Sequence, residues 1–354
     1  MKLSIITINY NNAEGLRKTL ASVASQTYPN IEHIIVDGAS TDGSVEMIRE
    51  YVKASPQPSP EGKGRHIIWS SEPDTGIYNA MNKGIEIALG RRVVNSLNRS
   101  ELAEDKNKGH EMGINSLNRS ELAEDKNKGR EMDINSLNRS ERSDDKNRGI
   151  CKATGEYVQI LNSGDLLAAP DVTERMMAAL NELMNEGVNE LRQVPILYGN
   201  MIKKDYTTGR ILGKSTEVEY SLRQYYTSTM NHDCCYIRRD LFETYGLYDE
   251  SLKIVSDWKW FLQTIGLGKV KPIYVDIDVT IFDASGISET NLALRNQERR
   301  QVLAELMPPA VLADYDAHAF EIEQMKRLRR WKLYPLVFFI ERVLFKLEKW
   351  KILR

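Results

Sequence analysis

Between residues 2 and 90 the apolar positions alternate between two kinds of run. Short runs rich in β-branched residues, at 2–9, Ile31–Asp37 and 66–69, read as buried strands. Between them, Leu16, Leu20 and Val23 recur at helical spacing over 15–25, and residues 44–52 keep a helical period. Ala80, Met81, Ile85 and Ala88 mark the inward face of a helix over 77–89. Strands alternating with helices predict right-handed βαβ units and an α/β fold built on a parallel sheet.

Two segments break the alternation. Residues 55–64 form a loop rich in Pro and Gly. Residues 95–149 carry a tandem repeat with a period of 20: the stretch 95–109 returns at 115–129 and again, degraded, at 135–149. Each unit offers too few apolar residues to build a stacked core, so the repeat reads as a surface insertion, disordered or loosely helical. A partner-binding module is the competing reading. The edges agree with an insertion, because Asn82-Lys-Gly-Ile85 before it resembles Asn147-Arg-Gly-Ile150 at its end.

Beyond it, 157–161 is a strong strand that runs into Asn162-Ser-Gly-Asp165, and Pro170 opens a helix through Asn185. Residues 196–200 read as a strand, 201–213 as a hairpin, and 239–245 and 257–265 as helices. Further strands lie over 270–282 and a helix over 289–306. Three domains follow: a catalytic unit from 1–90 and 150–285, the insertion 91–149, and a helical extension 286–354. In the tail, 325–354, Lys and Arg flank an apolar run from Leu333 to Ile340 that Leu344, Phe345, Leu347 and Trp350 continue. A basic amphipathic helix suits an anionic membrane surface. Docking on its own domain or on a second subunit is the alternative.

Composition narrows the classes. A formal net charge of -2 argues against a nucleic-acid partner. The three cysteines, two of them adjacent, make no disulfide framework and suit a reducing, cytoplasmic setting. No leader is expected, and no apolar stretch reaches the roughly 20 residues that span a bilayer.

In open α/β sheets, ligands sit at the carboxyl ends of the strands, so strand-terminal carboxylates carry the candidate chemistry. Asp37 ends the second strand and can accept from a nucleobase or ribose, or cap the next helix. Asp74 follows the third strand with the same two options. Lys83 reaches a phosphate or stays solvated. Asp165 offers a hard oxygen to Mn²⁺ or Mg²⁺, or caps a helix. Asp257 is a candidate general base, with partial burial expected to raise its pKa towards usefulness, or an N-cap. His232 is a ligand to metal, phosphate or acceptor, or a structural histidine.

Taken in order, Ser4-Ile-Ile-Thr-Ile-Asn-Tyr-Asn-Asn12, Ser25-Gln-Thr27, Val36-Asp-Gly-Ala-Ser-Thr-Asp-Gly43, Glu72-Pro-Asp-Thr-Gly-Ile-Tyr-Asn-Ala-Met-Asn-Lys-Gly84 and Ala153-Thr-Gly-Glu-Tyr157 resemble the family-2 glycosyltransferases of GT-A fold, of the bacterial polysaccharide or capsule type. The resemblance implies a Rossmann-like, mostly parallel sheet flanked by helices. It implies an inverting, metal-dependent transfer from a nucleotide-diphosphate sugar, UDP by default, to a glycan or lipid-linked acceptor at the inner face of a membrane. Asp37 and Asp74 would fall in the nucleotide pocket, with Thr7 supplying backbone contacts nearby. Asp165 would bind the metal, and Asp257 would be the base. The family often has a second acid where Gly164 stands, and Asn162 is expected to substitute in part. The alternative is a catalytically inactive relic that still binds nucleotide sugars. A nucleotidyltransferase would bring a Gly-rich phosphate loop, which Asn9-Tyr-Asn-Asn-Ala-Glu-Gly15 is not.

Overall fold

A computed structural model describes residues 1–55, 66–92, 94–95, 150–151, 153–185, 194–284, 291–330 and 334–352. Strand β1 (Leu3–Asn9) is buried along its whole length. It pairs in parallel with β2 (Ile31–Asp37) on one edge and with β6 (Tyr157–Asn162) on the other; β2 in turn carries β3 (His66–Ser71). Because side chains alternate across a strand, β1 and β2 feed both faces. Ile6, Ile8, Ile34 and Val36 pack with Met81 and Ile85 of helix α3 (Ile77–Ala88). On the other face Leu3, Ile5 and Ile31 meet α4 (Val172–Asn185), and Ile35 meets Leu16 and Leu20 of α1 (Ala13–Ala24) and Ile48 of α2 (Ser44–Ala54).

Between α3 and β6 the chain leaves the sheet and returns. Val94–Asn95 (β4) pairs antiparallel with Ile150–Cys151 (β5), so the two ends of the excursion lie side by side. The repeat itself, apart from Asn95, falls outside the described residues, as does the loop 56–65. The returning chain is seated by Glu32, a fully buried carboxylate. It accepts the backbone N–H groups of Thr154 at 3.0 Å and Gly155 at 2.8 Å, the hydroxyl of Ser4, and an ion pair from Lys2 at 3.3 Å. Burial alone would raise its pKa; bonds from His66, Ser4 and the two amides hold it at about 2.

The second half of the sheet is mixed. The order β3-β2-β1-β6-β10-β8-β11-β7 places β10 (Cys235–Arg238) antiparallel between β6 and β8 (Ile196–Lys204). Strand β11 (Ile273–Asp283) runs parallel to β8, and β7 (Leu166–Leu167) closes the edge. The anticipated hairpin after 200 is β8 with β9 (Ile211–Ser215), its turn held by Asp205 accepting from Thr207 and Thr208. Helices α5 (Leu222–Thr227), α6 (Asp240–Tyr245) and α7 (Ser256–Phe261) follow, the last continuing as a π turn over Leu262–Gly266. The expected α/β architecture therefore holds, parallel through its first four strands and mixed beyond them.

Helix α8 (Leu292–Leu306) returns to the core, where Val302 and Leu303 are buried. Two further helices follow, α9 (Pro309–Arg329) and α10 (Tyr334–Ile352), the second within the tail expected to be an amphipathic helix.

Replacing residues 96–149 with an Asn-Gly pair, which suits a two-residue hairpin turn between β4 and β5, should leave a monodisperse, folded protein. Its Tm, read by calorimetry, should lie within a few degrees of the parent. Aggregation of the shortened chain would refute the insertion reading.

Candidate active site

The carboxyl ends of the parallel strands come together, with Asn9 opposite Asp37 and Ile8 opposite Asn162. Asp37 is completely buried and its carboxylate is saturated. Oδ1 accepts from Asn9 Nδ2 at 2.9 Å and Ser40 Oγ at 2.6 Å; Oδ2 accepts from the Ser40 amide at 2.9 Å and Ser71 Oγ at 2.7 Å. It organises the loop after β2. Asp74 is half-buried beside it. A Cβ at Gly38 would stand 2.4 Å from Asp74 Oδ2, so any larger residue there would push the Asp74 carboxylate aside.

Two other expected nucleotide-site residues have structural partners. Lys83 donates to the Pro73 carbonyl at 2.8 Å and pairs with Glu72 at 3.1 Å, so it props the loop that presents Asp74. Thr7 is buried in the sheet, its hydroxyl 2.9 Å from His33 Nε2.

A second cluster joins four separated segments. The Tyr78 hydroxyl, from α3, donates to Asp257 Oδ1 at 2.9 Å. Asp257 Oδ2, in the first turn of α7, lies 3.0 Å from His232 Nδ1 on a 3₁₀ turn, His232–Cys234. His232 Nε2 lies 3.4 Å from the Asn162 amide nitrogen at the end of β6. Burial pushes the imidazole pKa down, but the bond and charge of Asp257, then Asp233 and Asp165, lift it to about 9. A protonated ring carries N–H on both nitrogens. Asn162 Oδ1 is buried without a partner, so turning that amide over, with Oδ1 towards Nε2, satisfies both groups.

The expectation that burial would raise Asp257 is overturned. Burial does push its pKa up, but the hydrogen bond and charge of His232 and the Tyr78 hydroxyl hold it below the usual value. Asp257 is therefore a fixed, ionised carboxylate. His232, expected as a metal ligand, is held at Nδ1 by Asp257, with Nε2 beside the Asn162 amide.

Asp165 lies deeper. Its Oδ1 accepts the Asp283 amide at 3.0 Å, while Oδ2 is buried with no partner. Burial first, then the neighbouring Asp233 carboxylate, raise its pKa to about 7. Asp233, also raised by burial, accepts from Thr280 at 2.6 Å. Thr19 of α1 steadies the turn, donating to the Asp165 carbonyl at 2.8 Å and accepting from the Gly164 amide at 2.9 Å. Gly164 has φ +112, a backbone state that disfavours any acid there. Among the described residues no group of three His, Cys, Asp or Glu is arranged to hold a metal. Asp165 Oδ2, like Asn162 Oδ1 in the same turn, is an oxygen left without a partner, which fits a cation whose other ligands come with substrate phosphates.

A cleft of about 660 Å³, counted out to open solvent, opens on this cluster. His232 and Asp257 line it, with Met201, Val255, Trp258 and Phe282 as apolar walls and Arg295 and Arg299 of α8 completing it. Tyr78, Asp233, Thr19 and the two arginines escaped the sequence reading. Tyr78 stands within a quoted motif, yet no periodicity tells where its hydroxyl points.

Residues 4–96 match a family model described as glycosyl transferase family 2. That stretch includes Thr7, Asp37, Asp74 and Lys83 but stops before Asn162. The chain is 40% identical over 89 residues to an uncharacterized glycosyltransferase of Mycobacterium tuberculosis, 25% of this chain and 30% of that protein. It is 33% identical over 87 residues to a PGL/p-HBAD biosynthesis glycosyltransferase of Mycobacterium bovis, 25% of this chain and 31% of that one. The matches thus span about a third of these relatives. Among solved structures, a mannosyltransferase from Pyrobaculum calidifontis in complex with GDP-Man and Mn²⁺ has 16% identity and a TM-score of 0.48, covering 97% of this chain and 85% of that one. S. aureus TarS 1-349 in complex with UDP-GlcNAc has 16% identity and a TM-score of 0.48, covering 86% and 64%.

Asp165 sets a pH dependence. A carboxyl whose folded pKa is raised from 3.8 to about 7 favours folding most below its unfolded pKa, and stability falls as pH rises from 4 to 7. Asp165→Asn should therefore raise Tm by several degrees at pH 8 and leave it almost unchanged at pH 4. Equal shifts at both pH values would contradict the buried, partly protonated carboxyl.

Proposed function

We propose that this chain, whose residues 4–96 belong to glycosyl transferase family 2, transfers a sugar from a nucleotide-diphosphate sugar, UDP-linked by preference, to an acceptor hydroxyl with inversion. The observation that carries the reading is the fixed carboxylate of Asp257 at the cleft. It stands at the end of a hydrogen-bonded line that reaches β6, next to Asp165. An ionised carboxylate of low pKa is a weak resting base. It takes the proton late, as the acceptor oxygen bonds to the anomeric carbon and its hydroxyl becomes acidic. Tyr78 and His232 aim it and keep it charged, which is a positioning role. The electron pair of the breaking glycosidic bond leaves with the diphosphate.

Asp74, half-exposed beside Gly38, is the better placed of the two loop carboxylates to meet the donor's base or ribose. Asp37, Lys83, Thr7 and Asn162 shape that pocket from behind. Asp165 would hold Mn²⁺ or Mg²⁺, which when bound supplies positive charge for the departing diphosphate.

Binding and turnover of UDP-, GDP- and dTDP-sugars, each with Mn²⁺ or with EDTA, test this. One nucleotide class should stabilise the protein and be slowly hydrolysed in a metal-dependent way. Asp257→Asn should keep donor binding and lose turnover by roughly 10²- to 10⁴-fold. A folded protein that binds a donor and never turns it over would instead be the inactive relic.

We also assign α10 to a membrane surface. Its Leu336, Ile340, Val343 and Leu347 share one helical stripe and are all exposed, as are Phe338, Phe339, Leu344 and Phe345. Arg342 and Lys346 add positive charge. So large an exposed apolar patch marks an interaction site, and no helix among the described residues is long and apolar enough to cross a membrane. An interfacial helix meets both facts. The full chain should sediment with vesicles containing phosphatidylserine, less with neutral ones, and Phe339→Glu with Leu347→Glu should abolish it. Unchanged sedimentation of that double variant would overturn the assignment.

A further inference from the structure

Asp165, the carboxylate assigned to the cation, is shut away: the residue is 3% exposed, and its Oδ2 is buried. A divalent ion that arrives with substrate phosphates needs an open approach. Whatever covers this oxygen must move before such an ion can enter.

The cover comes from the tip of the β8–β9 hairpin. Lys204, at the end of β8, stands opposite Asp283 in the ladder and accepts the Ala284 amide at 3.0 Å. The Asp283 amide is in turn the donor to Asp165 Oδ1. Two residues on from Lys204, the Tyr206 ring is flanked by Lys204 Nζ, 5.0 Å from its centre, and by Lys18 Nζ of α1, 5.2 Å from it. Lys18 precedes Thr19, which steadies the Asp165 turn. That seat, between α1 and the end of β11, puts Tyr206 against the turn 162–165. Its hydroxyl is buried with no hydrogen-bond partner, and burial, then the charges of Asp283 and Asp165, raise its pKa. Asn12 also packs on this turn, donating to the Ser163 carbonyl at 3.0 Å, but it is fixed as the N-cap of α1.

The tip can move as a piece. Asp205 accepts from the amides of Thr207 and Thr208 and from the Thr208 hydroxyl, so these bonds stay inside the turn. Strand β9 lies off the main strand order, and its Ile211 and Leu212 are exposed. The tip meets α1 through the Lys18–Tyr206 contact, a cation–π pair of modest strength. The closed arrangement holds two unmet groups, a hydroxyl and a carboxyl oxygen, and each is costly to bury unpaired. One event relieves both: the hydroxyl reaches water as the tip lifts, and the oxygen meets the incoming cation.

We propose that Tyr206 is a plug over the cation site, and that the β8–β9 tip lifts when a divalent ion enters with the donor's diphosphate. The inference rests on the reading of Asp165 as the cation's carboxylate. A site that must open first binds more weakly in proportion to the fraction open, so the plug gates the donor.

The test uses the full chain as parent, Tyr206→Ala and Tyr206→Phe, each checked for folding by melting. Mn²⁺ binding in the presence of UDP is read from the electron paramagnetic resonance of the free ion. Tyr206→Ala removes the plug and should bind Mn²⁺ roughly tenfold tighter. Tyr206→Phe keeps the ring but loses the stranded hydroxyl, so the closed state gains and Mn²⁺ should bind several-fold more weakly. Simple damage to the hairpin would not give opposite shifts. Access is read separately and without metal: Asp165→Cys, made in the parent and in Tyr206→Ala, is reacted with a maleimide, with the chain's own cysteines as background. The added thiol should react roughly tenfold faster in the Tyr206→Ala background. Equal labelling rates overturn the proposal, as do measurable Mn²⁺ affinities that stay put or move the same way in both variants. Faster labelling with no Mn²⁺ bound by any form would keep the plug and remove Asp165 as the cation's holder, which separates the two readings.

Discussion

Everything in this molecule depends on strand β1 finding a partner on each edge, and one of those partners arrives late. The β2 edge is local and closes through a short helix. The β6 edge closes only after the chain has left the sheet at α3 and come back. Glu32 makes that return specific: its buried carboxylate collects two backbone amides of the returning turn, a hydroxyl from β1 and a lysine beside it. A buried charge is tolerated only when its oxygens are filled in this way. The clamp therefore does more than stabilise. It selects the register in which Asn162 ends level with Ile8, and that register brings the two halves of the site together.

The site then shows how a low-dielectric interior is made to carry many ionisable groups. Asp37 is held by four donors, Asp257 by a tyrosine and an imidazolium, and Asp233 by a threonine. Each is matched within the fold. Asp165 is the exception, with one oxygen satisfied and one open. The matched ones set geometry.

The sequence made the first half legible because βαβ units leave strong, regular periods, and because the strand-ending residues Asp37 and Asn162 follow apolar runs. It made the carboxylates legible by type and position. What it left hidden was partnership. Nothing in a run of residues says that Tyr78 meets Asp257 across 179 positions, or that His232 Nδ1 meets the same carboxylate. Strand β10, four residues long, was invisible for a simpler reason: a period cannot be read from four positions. Asp257 misled because burial, the term a sequence can anticipate, was outweighed by a neighbour it cannot.

The pairing of Val94–Asn95 with Ile150–Cys151 has a further consequence. Where two backbone ends leave a domain side by side, what joins them hardly matters to the host. The entropic cost of closing the connection grows only with the logarithm of its length, about 0.6 kcal/mol per doubling. Such a gap tolerates gradual copying: each duplication of a short unit is nearly neutral for stability, and selection has little to act on. The same gap is a natural graft point, at which a second folded module with adjacent termini could be carried without bending the sheet that bears it.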